Sequence, residues 1–298
     1  MTQASSHQDQ SIPLSVEHYI ARMPRLSTTM AKVVAICNNS ETSANDLNRV
    51  ISLDPVLTGQ VLKLINSAYY GLRSEATSLT RAIIMLGVNT VKNIALSSVI
   101  LKNTGQKHLS DKAFMDRFWA HSLNVGVTAK TLAAMNQIPI ASREQFFVAG
   151  LLHDLGKIPL HAASPEAYGR LSEYDIAGQA RICHDETTTF GIHHCTIGQI
   201  IADKWALGKK LSDSLAFHHD PDQADEKTRT IVSFVAIANI FSIAFKQNLS
   251  EGNFFEIQIP NGLLNQAGVH QLVFSDLKRI VSEEIEKAKI FLDIIQKG

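Results

Sequence analysis

Residues 43–66, SANDLNRVISLDPVLTGQVLKLIN, decide the fold class. Leu47, Val50, Ile51, Leu57, Val61, Leu62 and Ile65 recur three and four residues apart, as one face of a helix does. Ser43 to Asn45 offer N-cap side chains ahead of a helix over 46–53. Asp54 is a capping carboxylate for the next helix, and Pro55 opens it where a missing N–H costs little. Working outward, the same period runs from Val16 to about Leu101 as roughly five short helices, with Gly71 and Gly87 as stops. It resumes at Phe114, where Trp119, Leu123 and Val127 share a face, as do Phe147, Gly150 and Leu151. Pro159 and Pro165 mark a loop. Further helices are expected from near Ile176, over 195–205 and over 210–217. Ile231 to Phe245 is apolar on nearly every side, as a buried helix would be. Residues 253–262 read as a loop or a short extended piece, and 275–295 as one long amphipathic helix. No stretch alternates with period two, so the expected fold is all-α, built as two packed helical lobes. The polar stretch NTGQKHLSD, 103–111, sets the boundary near 105. That gives a disordered lead-in at 1–12, an N-terminal helical subdomain at 13–105 and a C-terminal one at 106–298.

The 298 residues carry 28 Lys+Arg and 28 Asp+Glu, a formal net charge of zero. With 45% hydrophobic residues, the composition excludes a largely disordered chain. Zero net charge and the lack of a dense Lys/Arg cluster give no pull toward nucleic acid or an anionic membrane. Tyr69 and Tyr70 have no basic neighbours in sequence, so they read as packing between lobes rather than a nucleic-acid platform. Ile231 to Phe245 is short for a bilayer span and contains Ser233, Asn239 and Ser242. The first residues, MTQASSHQDQS, are polar and unlike a secretory signal. Three cysteines, Cys37, Cys183 and Cys195, make no disulfide framework. A cytoplasmic protein with neither membrane nor direct nucleic-acid contacts is expected; no feature specifies an oligomeric state.

Histidine is the unusual residue. There are 12, and eight fall between His121 and His219. In GLLHDLGKIP, 150–159, His153 and Asp154 are adjacent where a helix is ending, and both can reach one divalent metal. Asp154 has two oxygens and can bridge two metals. Gly156 would let the backbone turn. His121 in WAHSLNVG, His194 in FGIHHCTIG, and His218 and His219 in LAFHHDP each sit in or beside an apolar helical segment. A lone imidazole there would be costly. Together these five imidazoles and one carboxylate suit one or two ions of Zn, Fe or Mn, with positions left for water or phosphate. The bland alternative is a set of satisfied core histidines. Of His193 and His194, only one is expected to point inward. Lys157 reads as a solvated lysine at a helix end, with phosphate contact as its functional alternative. Asn66 reads as a buried hydrogen-bonding residue.

These stretches resemble a known family. GLLHDLGK, preceded by FWAHS and followed by a paired HH, is similar to the HD superfamily of metal-dependent phosphohydrolases. ARMPRLSTTMAKV resembles the "LPxLP" segment of one branch, the HDOD (HD-related output domain) family. ISLDPVLTGQVLKLINSAYYG resembles its "DPxLxxxxLxxxNSAxxG" segment, and TSLTRAIIMLGVNTVKNIAL its "AIxxLG" segment. ETTTFGIHHCTIGQIIADKWAL followed by AFHH resembles "ExxxxGxxHxxxGxxLxxxW…HH". The likeness runs from about Leu14 to Phe245. It implies an all-helical fold and a role in bacterial signalling, usually without catalysis. The related HD-GYP branch hydrolyses cyclic di-GMP. Its ligand pattern falls on His121, then His153 and Asp154, then His194, then His218 and His219. Two departures stand out: DPDQADEKT after His219 lacks the Gly-Tyr-Pro triplet, and the aspartate expected on the next helix is replaced in IVSFVAIANIFSIAF, where Asn239 is the nearest polar residue. A neutral amide is a poorer ligand for a hard cation than a carboxylate.

Two functions follow. One is a regulatory module acting through signalling-protein partners, with a degenerate HD-type metal site. The other is a metal-dependent phosphohydrolase for a nucleotide or cyclic dinucleotide, in which Asp154 and Lys157 would be catalytic. The two departures favour the first.

Overall fold

Local chemistry starts and stops the helices. The computed structural model describes residues 14–22, 26–104, 111–171, 176–251, 259–269 and 274–297. The lead-in at 1–12, the boundary at 105, part of the "LPxLP"-like segment (23–25) and most of the 253–262 stretch lie outside the described residues. Six helices lead the chain: α1 (Leu14–Arg22), α2 (Thr28–Asn38), α3 (Ala44–Ile51), α4 (Pro55–Ile65), α5 (Leu79–Leu86) and α6 (Val88–Thr104). Ser43 caps α3 in a reciprocal box with Asp46. Asp54 caps α4, its Oδ1 accepting from the backbone N–H of Val56 at 2.9 Å and Leu57 at 3.0 Å. Asn66 ends α4 and clamps the loop behind it, exchanging two hydrogen bonds with the backbone of Ala76. Its hydrogen bonding is as expected, but the residue is exposed rather than buried.

After residue 110 come α7 (Lys112–Met135), α8 (Ile140–Leu152), α9 (Lys157–Ala163), α10 (Pro165–Tyr168), α11 (Ile176–Phe190), α12 (His194–Lys204) and α13 (Lys209–Phe217). The chain closes with α14 (Glu226–Glu251), α15 (Asn261–Ala267), α16 (Phe274–Ala288) and α17 (Ile290–Lys297). No strand occurs among the described residues, and the fold is all-α. Glu226–Phe245 of α14 is long and apolar enough to cross a membrane, but it is mostly buried inside the fold.

Three expectations need correction. Pro159 lies inside α9, not in a loop. It falls in the first turn, where a backbone N–H has no intrahelical partner to lose. The final segment is two helices, broken at Lys289, rather than one. Residues 261–267 are helical.

The α7–α8 pair anchors the fold, with α14 packed across it. The helices approach closely because Gly126 and Gly150 face each other; a Cβ on Gly150 would stand 2.8 Å from the Gly126 Cα. One hydrophobic core runs from Val16 to Phe291. Tyr69 joins its two ends, its ring 5.5 Å from Phe147 and 5.6 Å from Phe291. Tyr70 donates to buried Glu144 at 2.7 Å, and Lys130 donates to the same carboxylate at 2.7 Å while lying over the Tyr69 ring. The tyrosines thus have a basic partner after all, from α7, and it serves packing.

Candidate metal centre

Helix ends, and one position inside α7, bring the six candidate residues together. His121 projects from α7, His153 is the C-cap of α8, and Asp154 lies in the turn that follows. His194 is the first residue of α12, His218 is the C-cap of α13, and His219 comes next. Asp154 is at the middle and almost fully buried. Its Oδ2 is 3.5 Å from His121 Nε2, 3.2 Å from His153 Nε2 and 2.9 Å from Lys157 Nζ. Its Oδ1 is 3.4 Å from both His194 Nε2 and His218 Nε2. His219 joins on that side: ligand atoms of Asp154, His194, His218 and His219 all lie within 4.8 Å of one another. His121, His153 and Asp154 form a second group by the same measure. Of the adjacent pair, His194 is the fully buried one, while His193 is partly exposed.

The rings are turned by their outer nitrogens. His153 Nδ1 donates to the Gly150 carbonyl at 2.7 Å, and His218 Nδ1 to the Ser214 carbonyl at 3.0 Å. His194 Nδ1 meets Glu186 Oε2 at 2.6 Å. For His153 and His218 the bond commits the proton to Nδ1 and leaves the Nε2 lone pair facing inward, whereas His194, held against the Glu186 carboxylate, carries a proton on Nε2 as well until a metal displaces it. Glu186 was not singled out from sequence, although it leads the "ExxxxGxxH" pattern. It is fully buried on α11, also accepts from the His194 backbone N–H at 2.8 Å, and takes the Tyr168 hydroxyl at 3.1 Å.

Inward lone pairs and a carboxylate repel one another unless positive charge lies among them. Burial opposes charge on Asp154, yet His153 and Lys157 hold its carboxyl well below the usual range. Burial pulls His218 down to about 4, and pulls His153 and His219 below the ordinary imidazole value. At His194 burial is outweighed, chiefly by Glu186, and the ring is pushed up to about 9. Lys157 is buried at the start of α9 rather than solvated, because the turn after Asp154 folds it back over that carboxylate. Gly156 has an ordinary helical φ of −66°, so it is not needed for an unusual turn. Its role is close approach: a Cβ there would sit 1.9 Å from the His194 carbonyl oxygen.

The donor set fits a metal. His121 Nε2, His153 Nε2, His219 Nε2 and Asp154 Oδ1 are buried without a hydrogen-bond partner. Imidazoles with one carboxylate suit a borderline divalent transition ion. A cavity of about 520 Å³ opens on His218, His219, Asp220, Asn239 and Gln266. Asn239 therefore stands at the centre's edge, on α14.

The HDOD domain pattern matches residues 23–221. The chain belongs to the HDOD domain family. Solved structures share its fold. An HDOD domain protein of unknown function from Geobacter sulfurreducens superposes with a TM-score of 0.66 at 23% identity, covering 94% of this HDOD chain and 96% of its own. A candidate phosphohydrolase from Shewanella amazonensis SB2B gives 0.68 at 20% identity, with 94% and 98% covered. An uncharacterized protein of Treponema pallidum (strain Nichols) is 26% identical over 263 residues, 87% of this chain. The HDOD chain spans 48% of that curated relative.

Proposed function

We propose that this chain is a regulatory HDOD module that acts through signalling-protein partners and carries a degenerate HD-type metal centre. The observation that carries the reading is the single carboxylate facing the centre. Asp154 is the one acid in either His/Asp group, and Lys157 already stands 2.9 Å from its Oδ2. Glu186 is turned to the outer side of His194 and adds no ligand. Asn239, at the cavity edge, offers an amide where a second metal would use a carboxylate. His121, His153, Asp154, His194, His218 and His219 would hold one ion of Fe, Mn or Zn. Such an ion would acidify a bound water and polarise a phosphoryl oxygen. With one position lacking its acid, hydrolysis should be weak.

The second reading, a phosphohydrolase for a nucleotide or cyclic dinucleotide, is supported by the cavity beside His218 and His219. In that case Lys157 would contact phosphate. Metal content and phosphodiesterase activity of the wild type, Asp154→Ala, His218→Ala and Asn239→Asp separate the two. Asp154→Ala should lose more metal than His218→Ala, and Asn239→Asp should raise metal stoichiometry. An ordinary enzymatic rate on cyclic di-GMP in the wild type would overturn the regulatory reading.

A further inference from the structure

On the far side of His194 lies a second set of donors. Cys183 of α11 and Cys195 of α12 are free thiols with Sγ atoms 3.8 Å apart. Both, with His193 and His219, line a cavity of about 510 Å³. Ligand atoms of Cys183, His194, Cys195 and His219 all lie within 4.8 Å of one another, and of these His194 Nε2, 3.3 Å from Cys195 Sγ, is also turned to Asp154 in the HD-type centre. His219 Nε2 and His193 Nδ1 are buried without hydrogen-bond partners. The sulfur separation is far from a disulfide, which needs about 2.05 Å. It matches a metal site: two sulfurs bound at about 2.3 Å with tetrahedral angles stand roughly 3.8 Å apart.

We propose that Cys183, Cys195 and His219 form a zinc site of their own, with the fourth position open to the cavity beside His193. Two thiolates offset the charge of a dication, whereas the HD-type centre has one carboxylate already engaged by Lys157. Soft sulfur donors also favour zinc over iron or manganese. Binding releases the two thiol protons to solvent. The site does not depend on the HD-type centre being loaded, although the two would compete for His219.

The test uses the full, reduced, metal-stripped chain titrated with Co²⁺ as a spectroscopic substitute for zinc. Thiolate-to-cobalt charge-transfer absorption should appear, saturate within two equivalents, the HD-type centre taking the other, and bleach on adding zinc. Cys183→Ser and Cys195→Ser should each lose it. Cys37→Ser should keep it, since that thiol donates to the Lys92 carbonyl elsewhere. Asp154→Asn should keep it too, which separates this site from the HD-type centre. Absence of the band in the folded wild type overturns the proposal. So does a band that survives Cys183→Ser or that follows Asp154 instead. If the serine variants do not fold, alkylation of the wild-type thiols decides. One equivalent of zinc should slow modification of Cys183 at least tenfold, and an unchanged rate overturns the site.

Discussion

At the residue scale, Glu186 acts on the centre without facing it. It fixes His194 from behind through both the ring and the backbone N–H. Glu186→Ala would leave two buried donors and the Tyr168 hydroxyl without their acceptor. At about 1–3 kcal/mol per orphaned group, with partial relaxation, roughly 2–4 kcal/mol of stability should be lost in urea unfolding. Metal affinity should fall about 10–100-fold, as for other outer partners of ligating histidines. Glu186→Gln should cost less stability yet still weaken the metal, and unchanged affinity in both would show that His194 orients itself. The depressed imidazoles predict a pH dependence. His218, at about 4, and His153 and His219 bind fewer protons folded than unfolded. Their contribution to the stability of the metal-free protein should therefore be full above about 6.5 and be lost as pH falls toward 4, while that of His194, raised to about 9, is full below about 6.5 and is lost as pH rises toward 9. The urea midpoint against pH checks this, and a flat acid limb would contradict burial of neutral rings. The six inward residues were legible because histidines cluster between His121 and His219, five of them in or beside apolar segments, with Asp154 adjacent to one. Glu186 was less so: the "ExxxxGxxH" spacing ties it to His194, but its role as the outer partner of that ring comes from how α11 lies on α12.

At the element scale, the centre exists because α9 can lie directly on α12. Gly156 makes that contact, with no room for a methyl against the His194 carbonyl. Gly156→Ala must push α12 away and take His194 with it. A loss of about 3 kcal/mol or more is expected, at the upper end for overpacking, together with loss of metal. Thermal melting and metal analysis of this variant measure both. A variant as stable as wild type would mean the two helices are free to separate. Helix positions were largely readable, since caps such as Ser43 and Asp54 act within one turn of the chain. The misjudged elements share a cause. Pro159 is a helix breaker only when it interrupts hydrogen bonds, and in a first turn it interrupts none. The break at Lys289 leaves the apolar period of the tail intact on both sides, so periodicity runs through it. Gly156 signalled a turn, but the constraint on it comes from a backbone thirty-eight residues later.

At the scale of the whole molecule, the question is whether the helices before and after residue 105 fold as one unit. Their interface is not a polar seam. Val91, Ile94 and Leu101 of α6 belong to the same core as Phe147 of α8 and Phe291 of α17. Phe291 is fully buried and lies 4.7 Å from Phe147 and 5.6 Å from Tyr69, so α17 closes the junction. Buried Glu144 adds a polar tie there, taking Tyr70 from one side and Lys130 from the other. A shared apolar core predicts a single cooperative transition rather than two. Trp119 and Trp205 both lie after residue 105, so their fluorescence reports only that part, whereas far-UV circular dichroism reports every helix. The two signals should superimpose in urea. Phe291→Ala removes a large side chain from the junction and should cost about 3–5 kcal/mol. If the core is shared, this variant shifts both signals together to lower urea. If the tryptophan signal instead holds its midpoint while part of the dichroism is lost earlier, the first helices unfold on their own and the core is two cores in contact.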